Sequence, residues 1–151
     1  MAIEEERENG SVSARHLVFA YYVTGHGFGH ATRVVEVARH LILAGHDVHV
    51  VSAAPDYVFT TEIQSPQLHL RKIIFWSYFN FQMLLDCGAV QASLEKYHET
   101  AVVPREAILK TEVEWLKSIK ADLAITDVVP IACRAAEDAG IHCVCVGNFR
   151  C

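Results

Sequence analysis

The sequence predicts an α/β fold, a Rossmann-like doubly wound parallel sheet, on three observations. Short apolar runs alternate with amphipathic helical stripes along most of the chain. Two of the stripes stop at a glycine, Gly45 and Gly140, which suits a helix C-terminus. Two apolar runs lead straight into turns that open the next helix, at Thr24–Arg33 and at Asp127–Pro130. Alternating β and α elements with apolar strands imply parallel strands covered by helices.

The first strand is His16 to Val23, reading HLVFAYYV. The helix after the turn carries Val34, Val37, Ala38, Leu41 and Ile42 at the i, i+3, i+4, i+7, i+8 spacing of a helix lying on a sheet. Asp47 to Ala53 is the second strand, which closes a βαβ unit. A short polar helix follows over Asp56 to Ile63, and Leu68 to Ile74 is the third strand. Pro104 suits the first turn of the next helix, whose inner face is expected to be Ile108, Thr111, Trp115 and Ile119. Glu112 and Glu114 are expected on its solvated side. Asp122 to Thr126 is the fourth strand, Pro130 to Ala139 a helix, and Ile141 to Val146 the last strand.

The chain has 151 residues and a hydrophobic content of 52%, enough for the core of one α/β domain. Its formal net charge is −5, which argues against a nucleic-acid partner. Residues 1–14 form an acidic arm, with Glu4, Glu5, Glu6 and Glu8, that is expected to be disordered. The arm is too acidic and not apolar enough for a signal peptide. Five cysteines, an odd number without a C-x-x-C pair, point to reduced thiols and a cytoplasmic protein. Cys143 and Cys145 share one face of a strand and are expected in the core. The run Ile73 to Leu85 holds Phe75, Trp76, Tyr78, Phe79 and Phe81 and is too short to span a bilayer, so no membrane partner is expected. It is β-prone, uncharged and free of proline, the pattern of an aggregation-prone segment.

The turn at Gly25-His26-Gly27-Phe28-Gly29-His30 is the strongest functional signal. Alternating glycines let the backbone turn and approach a ligand with no Cβ in the way. The helix that starts there offers free N–H groups and a partial positive charge to an anion or a sugar hydroxyl. His26 and His30 can move protons near neutral pH. The dinucleotide fingerprint G-x-G-x-x-G fails at its third glycine, where His30 stands. Its acidic residue after the second strand is also missing, since that strand runs into Ser52-Ala53-Ala54-Pro55. The P-loop lacks its lysine, and the H-E-x-x-H zinc motif lacks its glutamate, so no metal is expected.

Gly29-His30-Ala31-Thr32-Arg33, then a helix, then Ala44-Gly45-His46-Asp47-Val48 resembles the opening of two-Rossmann-domain (GT-B) glycosyltransferases. The runs GHGFGHATR at 25–33, DYVFTTEI at 56–63, SLEKYHETAVVPREAILKTEVEWL at 93–116 and the turn at Asp127–Pro130 resemble the N-terminal glycosyltransferase-like half of the plant L-arabinokinase family more closely still. The resemblance covers Leu17 to Leu70 and Leu85 to Phe149. It departs from the family at 73–85, which looks inserted, after Ala92, where a few residues look lost, and at Arg150-Cys151, where the family continues. It therefore implies one truncated N-terminal domain at 15–151, without the nucleotide-sugar domain and without the sugar-kinase domain and its phosphate loop.

What the resemblance implies chemically falls on two residues. The general base of the plant glycosyltransferases corresponds to His30, and the aspartate that orients it corresponds to Asp127. A carboxylate on the second ring nitrogen would fix the tautomer and stabilise the imidazolium. Gly25, His26, Gly27, Phe28, Gly29 and Arg33 are the expected ligand-binding residues, Arg33 for a phosphate or carboxylate. Simpler roles stay open: His30 as a helix-start or carbonyl partner, Asp127 as a helix N-cap, and Arg33 as a surface charge. His40, His46 and His49 are expected to be structural. The resemblance thus implies a sugar or nucleotide-sugar partner, little activity in this stretch, and no cofactor of its own. ATP or nucleotide-sugar sites belong to the complete family protein. The alternatives are a non-catalytic interaction or regulatory module, self-associating through an unpaired sheet edge, and a dinucleotide-binding domain.

Overall fold

Residues 15–24, 28–73, 95, 98, 105–127 and 129–147 are described in this computed structural model, the Phe28 side chain excepted. The expectations for the acidic arm at 1–14, for residues 74–92 and for 148–151 lie outside the described residues.

The elements run β1 (Val18–Val23), α1 (Phe28–Leu43), β2 (Asp47–Ser52), α2 (Tyr57–Thr60), β3 (Leu68–Lys72), α3 (Arg105–Ser118), β4 (Leu123–Asp127), α4 (Pro130–Ala139) and β5 (His142–Cys145). They build a five-stranded sheet in the order β3-β2-β1-β4-β5. Every pairing is parallel, with Tyr22 opposite Val51 on one side of β1 and Val23 opposite Asp127 on the other. The strand order therefore reverses between β1 and β4, and the C-terminal ends of those two strands flank the crevice where open α/β sheets take ligands.

Side chains alternate across the sheet, so β1 feeds two cores. Phe19, Tyr21 and Val23 pack with Val34, Val35 and Ala38 of α1 on one face. Ala20 and Tyr22 pack with Leu116 of α3 and Ile131, Ala132 and Ala135 of α4 on the other. The result is three layers, helix–sheet–helix. Gly140 ends α4 in the left-handed conformation at φ 76°, with its N–H on Glu137 O and the next N–H, of Ile141, on Ala136 O.

Three expectations change on the α3–α4 face. Glu112 is buried, at 1% exposure, while Thr111 is exposed, so the inner stripe of α3 runs through Glu112 and Leu116. A carboxylate can sit there because Arg71 of β3 and Tyr22 of β1 reach its Oε2, at 2.6 and 2.8 Å. Cys145 is exposed and Cys143 half-buried, so neither lies in the deep core. They sit on β5, an edge strand, where one side of the sheet has no neighbour among the described residues. Both sulfurs lie 3.5 Å from the Cys133 sulfur on α4, and burial pushes the Cys143 thiol up to about 12.

Candidate functional site

The first turn of α1 and the last residue of β4 meet at the point where the strand order reverses. Asp127 ends β4, opposite Val23 in the register, and its side chain is fully buried. Val23 belongs to the α1-side core, so its register partner also faces α1. His30 stands one turn into α1, with its side chain 38% exposed. Its Nδ1 lies 3.1 Å from Asp127 Oδ1. A carboxylate only accepts, so Nδ1 donates that bond, and in the neutral imidazole Nε2 is then the nitrogen that keeps a lone pair. Arg33, on the next turn of α1, donates from Nη1 to Asp127 Oδ2 at 3.3 Å. The i, i+3 spacing of His30 and Arg33 puts both side chains over the same carboxylate. A buried carboxylate is expensive unless paired, and here both oxygens are paired with donors.

The turn after β4 is fastened separately. Thr126 donates from Oγ1 to Val129 O at 2.9 Å and accepts from Val129 N at 3.1 Å. The residue capping α4 is Val129, and no side chain caps that helix. Asp127 therefore serves the His30–Arg33 cluster and not the helix N-cap role that remained open from sequence.

Tyr21 is a neighbour that the sequence did not flag. It is fully buried, and its hydroxyl has no hydrogen-bond partner among the described residues. Burial first, and then the nearby Asp127 charge, push its hydroxyl up to about 12, while Arg33 pulls the other way. The only signal available beforehand was a tyrosine in an apolar strand next to the motif.

Of the expected ligand-binding residues, Arg33 is brought to Asp127. Gly29 is exposed in the first turn of α1, with open space around its Cα. Gly25, His26 and Gly27, and the Phe28 side chain, lie outside the described residues. His40 is exposed and bonded to Glu36 O at 2.8 Å. His46 accepts from Leu17 N at 3.3 Å, and His49 stacks on His69 with ring centroids 4.4 Å apart. All three make contacts away from the His30–Asp127 pair. No group of three or more His, Cys, Asp or Glu among the described residues could hold a metal ion. No described helix is long and apolar enough to cross a membrane.

The family model for "Glycosyl transferase family 1" matches residues 17–151. The L-arabinokinase of Arabidopsis thaliana is 68% identical over 96% of this chain, which spans 14% of that relative's length. Among solved structures, the calicheamicin glycosyltransferase CalG4 superposes with a TM-score of 0.58 at 23% identity, over 91% of this chain and 33% of its own. UGT2 of Phytolacca americana, complexed with UDP-2fluoro-glucose and pterostilbene, gives a TM-score of 0.56 at 18% identity, over 88% of this chain and 31% of its own. Identities at this level show a shared fold: the sheet described above is that of GT-B glycosyltransferases.

Proposed function

The chain belongs to glycosyl transferase family 1, and we propose that His30 and Asp127 form the acceptor half of a sugar-transfer site. The observation that carries the reading is the 3.1 Å contact from His30 Nδ1 to Asp127 Oδ1 at the switch point of the sheet. With the Nδ1 proton held by Asp127, Nε2 takes the proton of a sugar hydroxyl. That oxygen attacks the anomeric carbon of a nucleotide-sugar, and the nucleoside diphosphate leaves with the electron pair of the broken bond. Asp127 stabilises the imidazolium formed on the way, while Arg33 supplies a second counter-ion to the buried carboxylate. Acceptor binding is assigned to Gly25, His26, Gly27, Phe28 and Gly29 on the glycine-rich sequence that leads into α1.

In this reading the nucleotide-sugar is held mainly by another domain, so the stretch alone binds the acceptor and transfers poorly. No cofactor is assigned to it. The three free thiols Cys133, Cys143 and Cys145 fit a reducing, cytoplasmic setting. A second reading, an interaction module, is favoured by β5, an edge strand that leaves Val144 46% exposed. Thermal shift with L-arabinose, UDP-glucose and NAD, each alone, tests the proposal. Stabilisation by a sugar or UDP-sugar that is lost in His30→Ala supports it. Stabilisation by NAD alone supports a dinucleotide domain, and no stabilisation by any of them leaves the interaction module.

A further inference from the structure

The opposite face of the sheet carries a second polar cluster that the His30–Asp127 reading does not use. Glu112 Oε2 accepts from Tyr22 Oη and from Arg71 Nη1, but its Oε1 is buried with no hydrogen-bond partner among the described residues. A buried carboxylate oxygen left without a donor costs free energy comparable to a lost hydrogen bond. A cleft of about 350 Å³ opens beside Glu112, lined by that residue and by Arg71, Ile73, Ala107 and Ile108 among others. Arg71 is held in place from below, with its guanidinium 4.3 Å from the centre of the Trp115 ring. Only Nη1 of its donors goes to Glu112, and a guanidinium has five N–H groups to give.

We propose that this cleft binds a neutral sugar through a vicinal pair of hydroxyls, one donating to Glu112 Oε1 and its neighbour accepting from Arg71. Three features select that class. The orphan oxygen requires a donor, the guanidinium N–H groups that meet no acceptor among the described residues require one, and adjacent hydroxyls supply both a short distance apart. Ile73, Ala107 and Ile108 give an apolar wall for the C–H face of a sugar ring. The local charges already cancel, Arg71 against Glu112 and Lys72 against Asp56 at 2.9 Å, so a free anion finds no excess positive charge to bind. The site is separate from His30–Asp127, because Tyr22 and Glu112 lie on the α3 face while Tyr21 and Val23 face α1.

The test follows the indole N–H resonance of Trp115, assigned with Trp115→Phe, during titration with L-arabinose, D-xylose, D-glucose and inorganic phosphate. The expected result is a saturable shift with at least one sugar at millimolar concentration and none with phosphate. Glu112→Gln turns the unpartnered acceptor into an amide donor and should weaken binding about tenfold, the loss of one hydrogen bond to a charged group. Ala107→Phe narrows the cleft from an exposed helix position without touching the buried network, and should weaken binding as much. His30→Ala should leave this shift unchanged, which separates the site from the one proposed above. The proposal is overturned if no sugar gives a saturable shift, if phosphate gives the same one, or if the sugar shift survives Ala107→Phe at wild-type affinity.

Discussion

Replacing Asp127 by asparagine changes two oxygens' worth of acceptors into one oxygen and one amide, almost without a change of shape. The wild-type carboxylate accepts from His30 Nδ1 at 3.1 Å and from Arg33 Nη1 at 3.3 Å, in a fully buried position. An asparagine can keep only one of these as acceptor. Its oxygen goes to Arg33, which always carries charge and makes the stronger bond. The amide NH₂ then faces Nδ1, which must accept, so the ring proton moves to Nε2 and the lone pair that a base needs is lost. The charge-assisted part of two bonds disappears, and His30 and Arg33 are partly exposed and can turn to water. The loss of stability is therefore that of about one hydrogen bond to a charged group, about 1.5–3 kcal/mol. For a chain of this size that lowers Tm by roughly 3–12 °C. Long-range ¹H–¹⁵N correlation spectra of the His30 ring report the tautomer directly. Wild type should show Nδ1–H and Asp127→Asn should show Nε2–H, with a folded spectrum in both. An unchanged tautomer in the variant would refute the reasoning that Asp127 sets the protonation of His30.

Three further outcomes follow from the rest of the structure. Glu112→Ala leaves Tyr22 Oη and the inward side of Arg71 without their partner, and should cost about 3 kcal/mol, the low end for a broken buried pair because Arg71 is 25% exposed; urea unfolding measures it, and a loss below a tenth of that would mean the network adds nothing. Gly140→Ala meets no atom within 4 Å of the new Cβ but must hold φ at 76°, so chemical denaturation should show a loss of about 1–2 kcal/mol that is purely backbone in origin. Burial lowers the His49 pKa below its ordinary 6.5, and His69 adds to the shift. The unfolded chain then binds more protons than the folded one just below pH 6.5, so stability should rise with pH up to that value and be lost on acidification. His49→Phe should flatten the dependence of Tm on pH between 5 and 7, and a slope unaltered by the substitution would contradict the assignment.

The order of elements was legible because β1, β4 and β5 are short apolar runs and α1 and α4 each end at a glycine stop. Glycines at 45 and 140 marked two helix ends, Gly140 directly after α4 and Gly45 two residues past the end of α1, and both take positive φ. The pairing of His30 with Asp127 was legible only through resemblance, since 97 residues separate them and no local pattern connects the two. Arg33 could be placed on the same helix face as His30, but its choice of Asp127 over a ligand depends on where β4 ends. Glu112 was misplaced for the same reason in reverse. A glutamate within an amphipathic helix reads as solvated until a cation from another strand neutralises it, and Arg71 lies 41 residues away. Cys145 was misplaced because strand alternation says which face a residue points to, and says nothing about whether that face is covered at an edge.

The central claim, that the His30–Asp127 pair is the acceptor side of a sugar site, is tested most directly at the His30 ring itself. Its carbon-bound ring protons can be followed by NMR while L-arabinose or UDP-glucose is added to the wild-type chain and to Asp127→Asn. The account predicts a saturable shift of the His30 signals in wild type that is weakened in Asp127→Asn. Sugar binding that moves other resonances and leaves the His30 ring unchanged would contradict it.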